Sequence, residues 1–111
     1  MNDWINMINN LNNLGEFEFY LEKSQKQLLL VKFSTSSCAP CIRIQKEIDK
    51  LLKEEQKLLF LKIDATKFPS LAQKFNIQSV PALILFNQGK IVKEQIGYVE
   101  LPELREFIKI K

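Results

Sequence analysis

The stretch "LLLVKFSTSSCAPC", Leu28 to Cys41, decides the fold. It opens with a near-continuous apolar run, the pattern of a strand covered on both faces. It ends in the only two cysteines of the chain, Cys38 and Cys41. From Ala39 to about Glu55 the period changes to that of a helix, with Cys41, Ile44, Ile48, Leu51 and Leu52 on one side. Cys38 therefore stands where a buried strand hands over to a helix, at or near the helix N-cap. Unpaired amide N–H groups and the helix dipole favour an anion there. A thiolate is such an anion, and C-x-x-C thiols in this setting have depressed pKa values. Cys41 lies one turn further on, along the apolar face. It can reach a mixed disulfide on Cys38 while staying shielded from outside partners. The pattern thus predicts one exposed, activated thiol and one held behind it.

Other readings of the pair are poorer. A structural zinc site takes four ligands. The chain has no histidine and no third cysteine, so only a symmetric dimer could complete a four-cysteine site. Two unrelated buried cysteines remain the bland alternative.

Outward from this stretch the elements alternate. Trp4 to Asn9 reads as a short strand. Asn12 or Asn13 can cap a helix running to about Ser24, with Leu14, Phe17 and Leu21 as its apolar face. "KLLFLKID", Lys57 to Asp64, is a second buried strand. "FPSLAQKF", Phe68 to Phe75, is a short helix with Pro69 in its first turn. "ALILF" and "IVKEQIG" flank "NQGK", a hairpin turn in which Gly89 can supply a positive φ. "LPELREFIKI" closes the chain as an amphipathic helix with Pro102 at its start. The order β-α-β-α-β-α-β-β-α predicts a single α/β domain over residues 1–111. Its mixed central sheet of four to five strands is covered by helices on both faces.

Composition narrows the partners. The 111 residues carry a net charge of +3. The charges alternate in sign along "LEKSQKQ" and "KEIDKLLKEEQK", as on solvated helix faces, so no nucleic-acid partner is expected. No stretch approaches the ~18 apolar residues of a membrane span. "MNDWINMINNLNNLGEF" lacks a basic segment followed by an apolar core, so the chain reads as cytoplasmic. A reducing compartment disfavours a purely structural disulfide and favours a working one.

A further signal is "SVPAL", Ser79 to Leu83, where a proline directly precedes a buried strand. Spacing alone leaves the Val80–Pro81 bond open between cis and trans. Taken together, the sequence resembles the thioredoxin family over nearly its whole length. "LLLVKFSTSSCAPC" resembles the strand leading into that family's W-C-G-P-C motif. "SVPALILFNQGKIV" resembles its cis-proline strand and hairpin, and "QIGY" the glycine that follows. The resemblance implies a thioredoxin-like fold, with Cys38 as attacking thiol and Cys41 as resolving thiol. It implies a cis Pro81 facing the pair, and a Val80 backbone that pairs with an extended substrate segment. Gly97 would leave room for that segment, and Ser37, Ala39, Pro40 and Tyr98 would complete the rim. The implied activity is exchange with protein disulfides. The resemblance implies no bound cofactor or metal, the redox group being a Cys38–Cys41 disulfide. It further implies electrons from NADPH through a thioredoxin-reductase-like flavoprotein, and a monomer is expected.

The departures from the family pattern are specific. Ser37 stands in place of tryptophan and Ala39 in place of glycine. Lys46 replaces a helix-kinking proline, and Tyr98 follows Gly97 where a small residue is common. Lys32 occupies the position of a buried aspartate, and Lys62 that of its usual lysine partner. Two like charges cannot share a dry site cheaply. Either both side chains reach water, or one is deprotonated, or a carboxylate intervenes, with Asp64 and Glu47 as candidates. A cation there would tune the cysteine pair by favouring a thiolate. The alternative function is a protein-binding module of the same fold, with little redox activity and a docking face at Val80–Pro81.

Overall fold

The computed structural model describes residues 8–110. Strand β1 is Ile8–Asn10, followed by α1 (Leu14–Lys23), β2 (Leu29–Ser34), α2 (Ala39–Glu54), β3 (Leu59–Asp64), α3 (Pro69–Lys74), β4 (Ala82–Asn87), β5 (Lys90–Ile96) and α4 (Leu101–Phe107). This is the order expected from the sequence. The Trp4–Met7 part of the expected first strand lies outside the described residues.

The five strands form one mixed sheet in the order β1-β3-β2-β4-β5. β1, β3 and β2 run parallel, and β4 is antiparallel to both of its neighbours, β2 and β5. β2 sits at the centre, and all six of its residues are buried. The period of two then sorts its side chains. Leu29, Val31 and Phe33 enter a core shared with Phe17 of α1 and Leu71 of α3. Leu30 enters the opposite core with Ile44, Ile48, Leu51 and Leu52 of α2, and Leu104 of α4. Lys32 lies two residues beyond Leu30, on the side that α2 covers.

Helix α2 is held by that face. Burying Ile44, Ile48, Leu51 and Leu52 contributes about 6–12 kcal/mol in aggregate, against about 1 kcal/mol for a cap. The helix runs unbroken for 16 residues, with Lys46 inside it. Helix α1 starts as expected: Asn13 Oδ1 accepts from the Glu16 N–H at 3.1 Å. Its apolar face differs from expectation. Leu14 is 52% exposed, while Phe17 is buried and Tyr20 and Leu21 pack against the core. Leu14 is the first helical residue and projects before the helix meets the sheet.

The β4–β5 turn places both Gln88 (φ 54°) and Gly89 (φ 76°) in the left-handed region. Two positive φ angles match the twist of a two-residue hairpin. Ser24 braces the turn, its carbonyl accepting from Gln88 N–H at 2.8 Å and its Oγ from Gly89 N–H at 3.1 Å. Among the described residues, no helix is long and apolar enough to cross a membrane.

Candidate active site

The site forms where β2 ends and α2 begins. Cys38 is the N-cap of α2, with extended backbone (φ −130°, ψ 102°). Its Sγ accepts from the Cys41 N–H at 3.2 Å, taking up one of the donors a helix start leaves unpaired. Ala39 and Pro40 complete the first turn, and Pro40 needs no hydrogen-bond acceptor there. Cys38 and Cys41 form a disulfide, with their Cα atoms 5.2 Å apart. Cys41 is 2% exposed and Cys38 8%. The order of access is as expected, but Cys38 is less open than the sequence suggested.

The Val80–Pro81 segment is the second wall. The Val80–Pro81 peptide is cis, and the Val80 carbonyl oxygen lies 3.9 Å from Cys38 Sγ. Gly97 N–H donates to the Pro81 carbonyl at 2.9 Å, so the end of β5 is tied to the same wall. Gly97 has φ 87°, and an added Cβ there would meet nothing within 4 Å. The glycine answers a backbone requirement and leaves open space above it. Ser37, Ala39 and Tyr98 are exposed around the pair, and Pro40 is half-buried. The Arg43 guanidinium stacks 5.5 Å from the Tyr98 ring centre.

Two rim residues escaped the sequence reading. Ile42 is 59% exposed and Ile96 55%. Ile42 directly follows Cys41, so helical periodicity turns it off the buried face. Ile96 directly precedes Gly97.

Lys32 is the unusual element. It is 1% exposed, so its side chain does not reach out to water. Its ammonium donates to the Cys41 carbonyl at 2.9 Å and to Gln45 Oε1 at 2.8 Å. Gln45 Nε2 in turn donates to Asp49 Oδ1 at 3.0 Å. Cys41, Gln45 and Asp49 recur every fourth residue and so form one row along α2. Lys62 stands opposite Lys32 in the β2–β3 register. Burial first, and the Lys62 charge second, lower the Lys32 pKa to about 8, while Asp49 opposes the shift. The nearby carboxylate is thus Asp49, and neither expected candidate fills that place. Asp64 accepts from the backbone and hydroxyl of Thr66. Glu47 accepts from Leu101 N–H and Lys50. A cleft of about 370 Å³ opens beside this row, lined by Lys32, Cys41, Gln45, Asp49 and Lys62 among others.

A C-x-x-C disulfide at a helix start, facing a cis-proline on a mixed sheet, is one side of the comparison; known proteins supply the other. The family profile described as Thioredoxin matches residues 9–110. The chain belongs to the thioredoxin family. A thioredoxin of Buchnera aphidicola is 33% identical over 97 residues, covering 86% of this chain and 88% of its own length. Thioredoxin C-2 of Corynebacterium nephridii is 36% identical over 81 residues, covering 72% of this chain and 75% of that one. Among solved structures, Fasciola hepatica thioredoxin superposes with a TM-score of 0.83 at 26% identity, covering 90% of this chain and 95% of that chain. Mitochondrial thioredoxin 3 of Saccharomyces cerevisiae, in its oxidised form, shares the fold at a TM-score of 0.80 and 24% identity, covering 95% of this chain and 96% of that chain. Membership and the Cys38–Cys41 pair together make the protein a thiol–disulfide oxidoreductase of the thioredoxin type.

Proposed function

We propose that this single-domain thioredoxin reduces protein disulfides in the cytoplasm, with Cys38 as the attacking thiol and Cys41 as the resolving one. The observation that carries the assignment is the Cys41 N–H held 3.2 Å from Cys38 Sγ at the N-cap. A donor already aimed at Cys38 stabilises its thiolate without rearrangement. The Cys38 thiolate attacks one sulfur of the substrate disulfide and releases the other as a thiolate. Cys41 then loses its proton and attacks Cys38 Sγ. The substrate leaves reduced, and the Cys38–Cys41 bond remains.

The substrate segment lies extended against the Val80 backbone, next to Pro81 and over the open space at Gly97. Ser37, Ala39, Pro40 and Tyr98 form the rest of the contact surface. Exposed Ile42 and Ile96 extend it with apolar area. Electrons return from NADPH through a flavoprotein reductase, which places the protein in electron transport for thiol homeostasis. It works as a monomer and binds no cofactor.

A trapping experiment tests the roles. Cys41→Ser should leave client proteins attached to Cys38 as mixed disulfides, released by dithiothreitol and identified by mass spectrometry. Adducts on Cys41 in a Cys38→Ser variant, with none on Cys38 in the Cys41→Ser variant, would reverse the assignment.

A further inference from the structure

Burying a cation is costly unless an anion meets it. Lys32 touches none in the disulfide form. Its two partners are the Cys41 carbonyl and the Gln45 amide oxygen, both neutral. Asp49 is reached only through Gln45. The other charged groups lining the cleft are Lys46 on α2 and Lys62 on β3, both cations. The end of β2 and the segment after it add only the hydroxyl residues Ser34, Thr35 and Ser36 to the cleft. On the β4 side the residue paired with Lys32 is Leu83, which is fully buried and apolar.

One group beside Lys32 can become an anion, and it is the cysteine pair. We infer that Lys32 is the redox-linked counter-cation of the dithiol, so that reducing the disulfide supplies the charge its buried ammonium lacks. The inference rests on the oxidoreductase reading above and sets the direction in which that chemistry is biased. In the reducing step an external dithiol loses two electrons and two protons and closes to a disulfide. The Cys38–Cys41 S–S bond breaks and takes up those electrons. One proton returns to the pair, giving one thiol and one thiolate, and the other goes to solvent. The negative charge left on the pair develops at the residue whose carbonyl the Lys32 ammonium already holds at 2.9 Å, and at its partner Cys38. An opposite charge this close in a water-poor site stabilises the ionised form strongly. The reduced protein gains that stabilisation and the oxidised protein does not. Lys32 therefore makes the disulfide easier to reduce, and the protein a better acceptor of electrons than its uncharged variant.

The lowered pKa of Lys32 fits this arrangement. In the disulfide form the site favours loss of the ammonium proton near pH 8. A neighbouring thiolate opposes that loss, so reduction should hold the proton on Lys32 to higher pH.

The test is a redox titration in dithiothreitol or glutathione buffers at pH 7, with the reduced fraction read by alkylation and mass shift. Lys32→Met and Lys32→Gln both remove the charge, one with an apolar and one with a polar side chain. Each should lower the equilibrium constant for reduction by about tenfold, about 30 mV for a two-electron couple. The thiolate absorbance of the reduced pair should titrate roughly one pH unit higher in both. Lys32→Arg keeps the charge and should stay within about threefold of the wild type. An uncharged variant with the wild-type equilibrium constant, or an arginine variant that behaves like methionine, would overturn the inference. Failure of the oxidoreductase reading would look different. The wild-type protein would then not accelerate disulfide reduction at all, while its equilibrium constant would remain measurable.

Discussion

Lys32→Met should stabilise the oxidised protein, and the gain should depend on pH. The folded state lowers the Lys32 pKa from 10.5 to about 8. Each unit corresponds to about 1.4 kcal/mol, so keeping Lys32 charged costs the folded state roughly 3 kcal/mol. Between pH 8 and 10.5 the unfolded chain holds this proton and the folded one has released it. Stability therefore rises with pH across that window in the wild type. Below pH 8 the whole cost is present, and above 10.5 it is gone. Methionine carries no charge, has a similar reach and can pack beside Leu30 and Leu83. The acceptors it abandons are not stranded. The Cys41 carbonyl lies in the first turns of α2, and Gln45 borders the open cleft. Urea denaturation of both oxidised proteins at pH 7 should show the variant more stable by roughly 2–3 kcal/mol. Repeated from pH 7 to 10.5, the gap should close. Equal stability at pH 7 would refute the idea that Lys32 is a buried, poorly compensated cation. A gap that stayed constant with pH would show that packing and not charge is responsible.

Two further outcomes follow from the same geometry. Iodoacetamide at neutral pH should alkylate Cys38 of the reduced protein first, because Cys41 is 2% exposed beneath it; faster labelling of Cys41 would invert their roles. Ser24→Ala should cost about 1–2 kcal/mol in thermal or urea unfolding, because Gly89 N–H loses a buried acceptor; no loss would mean water replaces the hydroxyl freely.

Much of the architecture was legible because its signals are local. The apolar run of β2 and the helical period after Cys38 need no knowledge of the rest of the chain. The two cysteines could be placed for the same reason, since cap chemistry fixes them, whereas the cis bond at Pro81 and the role of Gly97 were legible only through the resemblance to the thioredoxin family. What was hidden depends on register between elements. Asp49 reads as part of a solvated helix face of mixed charge, and Gln45, just before that stretch, carries no signal of its own. Only the packing of α2 over β2 turns their row toward Lys32, which is why Asp64 and Glu47 looked like equal candidates. Leu14 misled for a similar reason: periodicity gives a face, but not where along the helix that face meets the sheet. Gln88 is a third case. A positive φ at Gly89 is readable from the residue, whereas a second one at Gln88 is imposed by closing the hairpin in two residues.

The central claim is that the Cys38–Cys41 pair catalyses disulfide exchange, and insulin reduction by dithiothreitol tests it most directly. The wild-type protein should shorten the lag before insulin B-chain precipitates, and Cys38→Ser should return the lag to that of dithiothreitol alone. A wild-type lag no shorter than dithiothreitol alone, from folded protein with its disulfide reducible, would contradict the account.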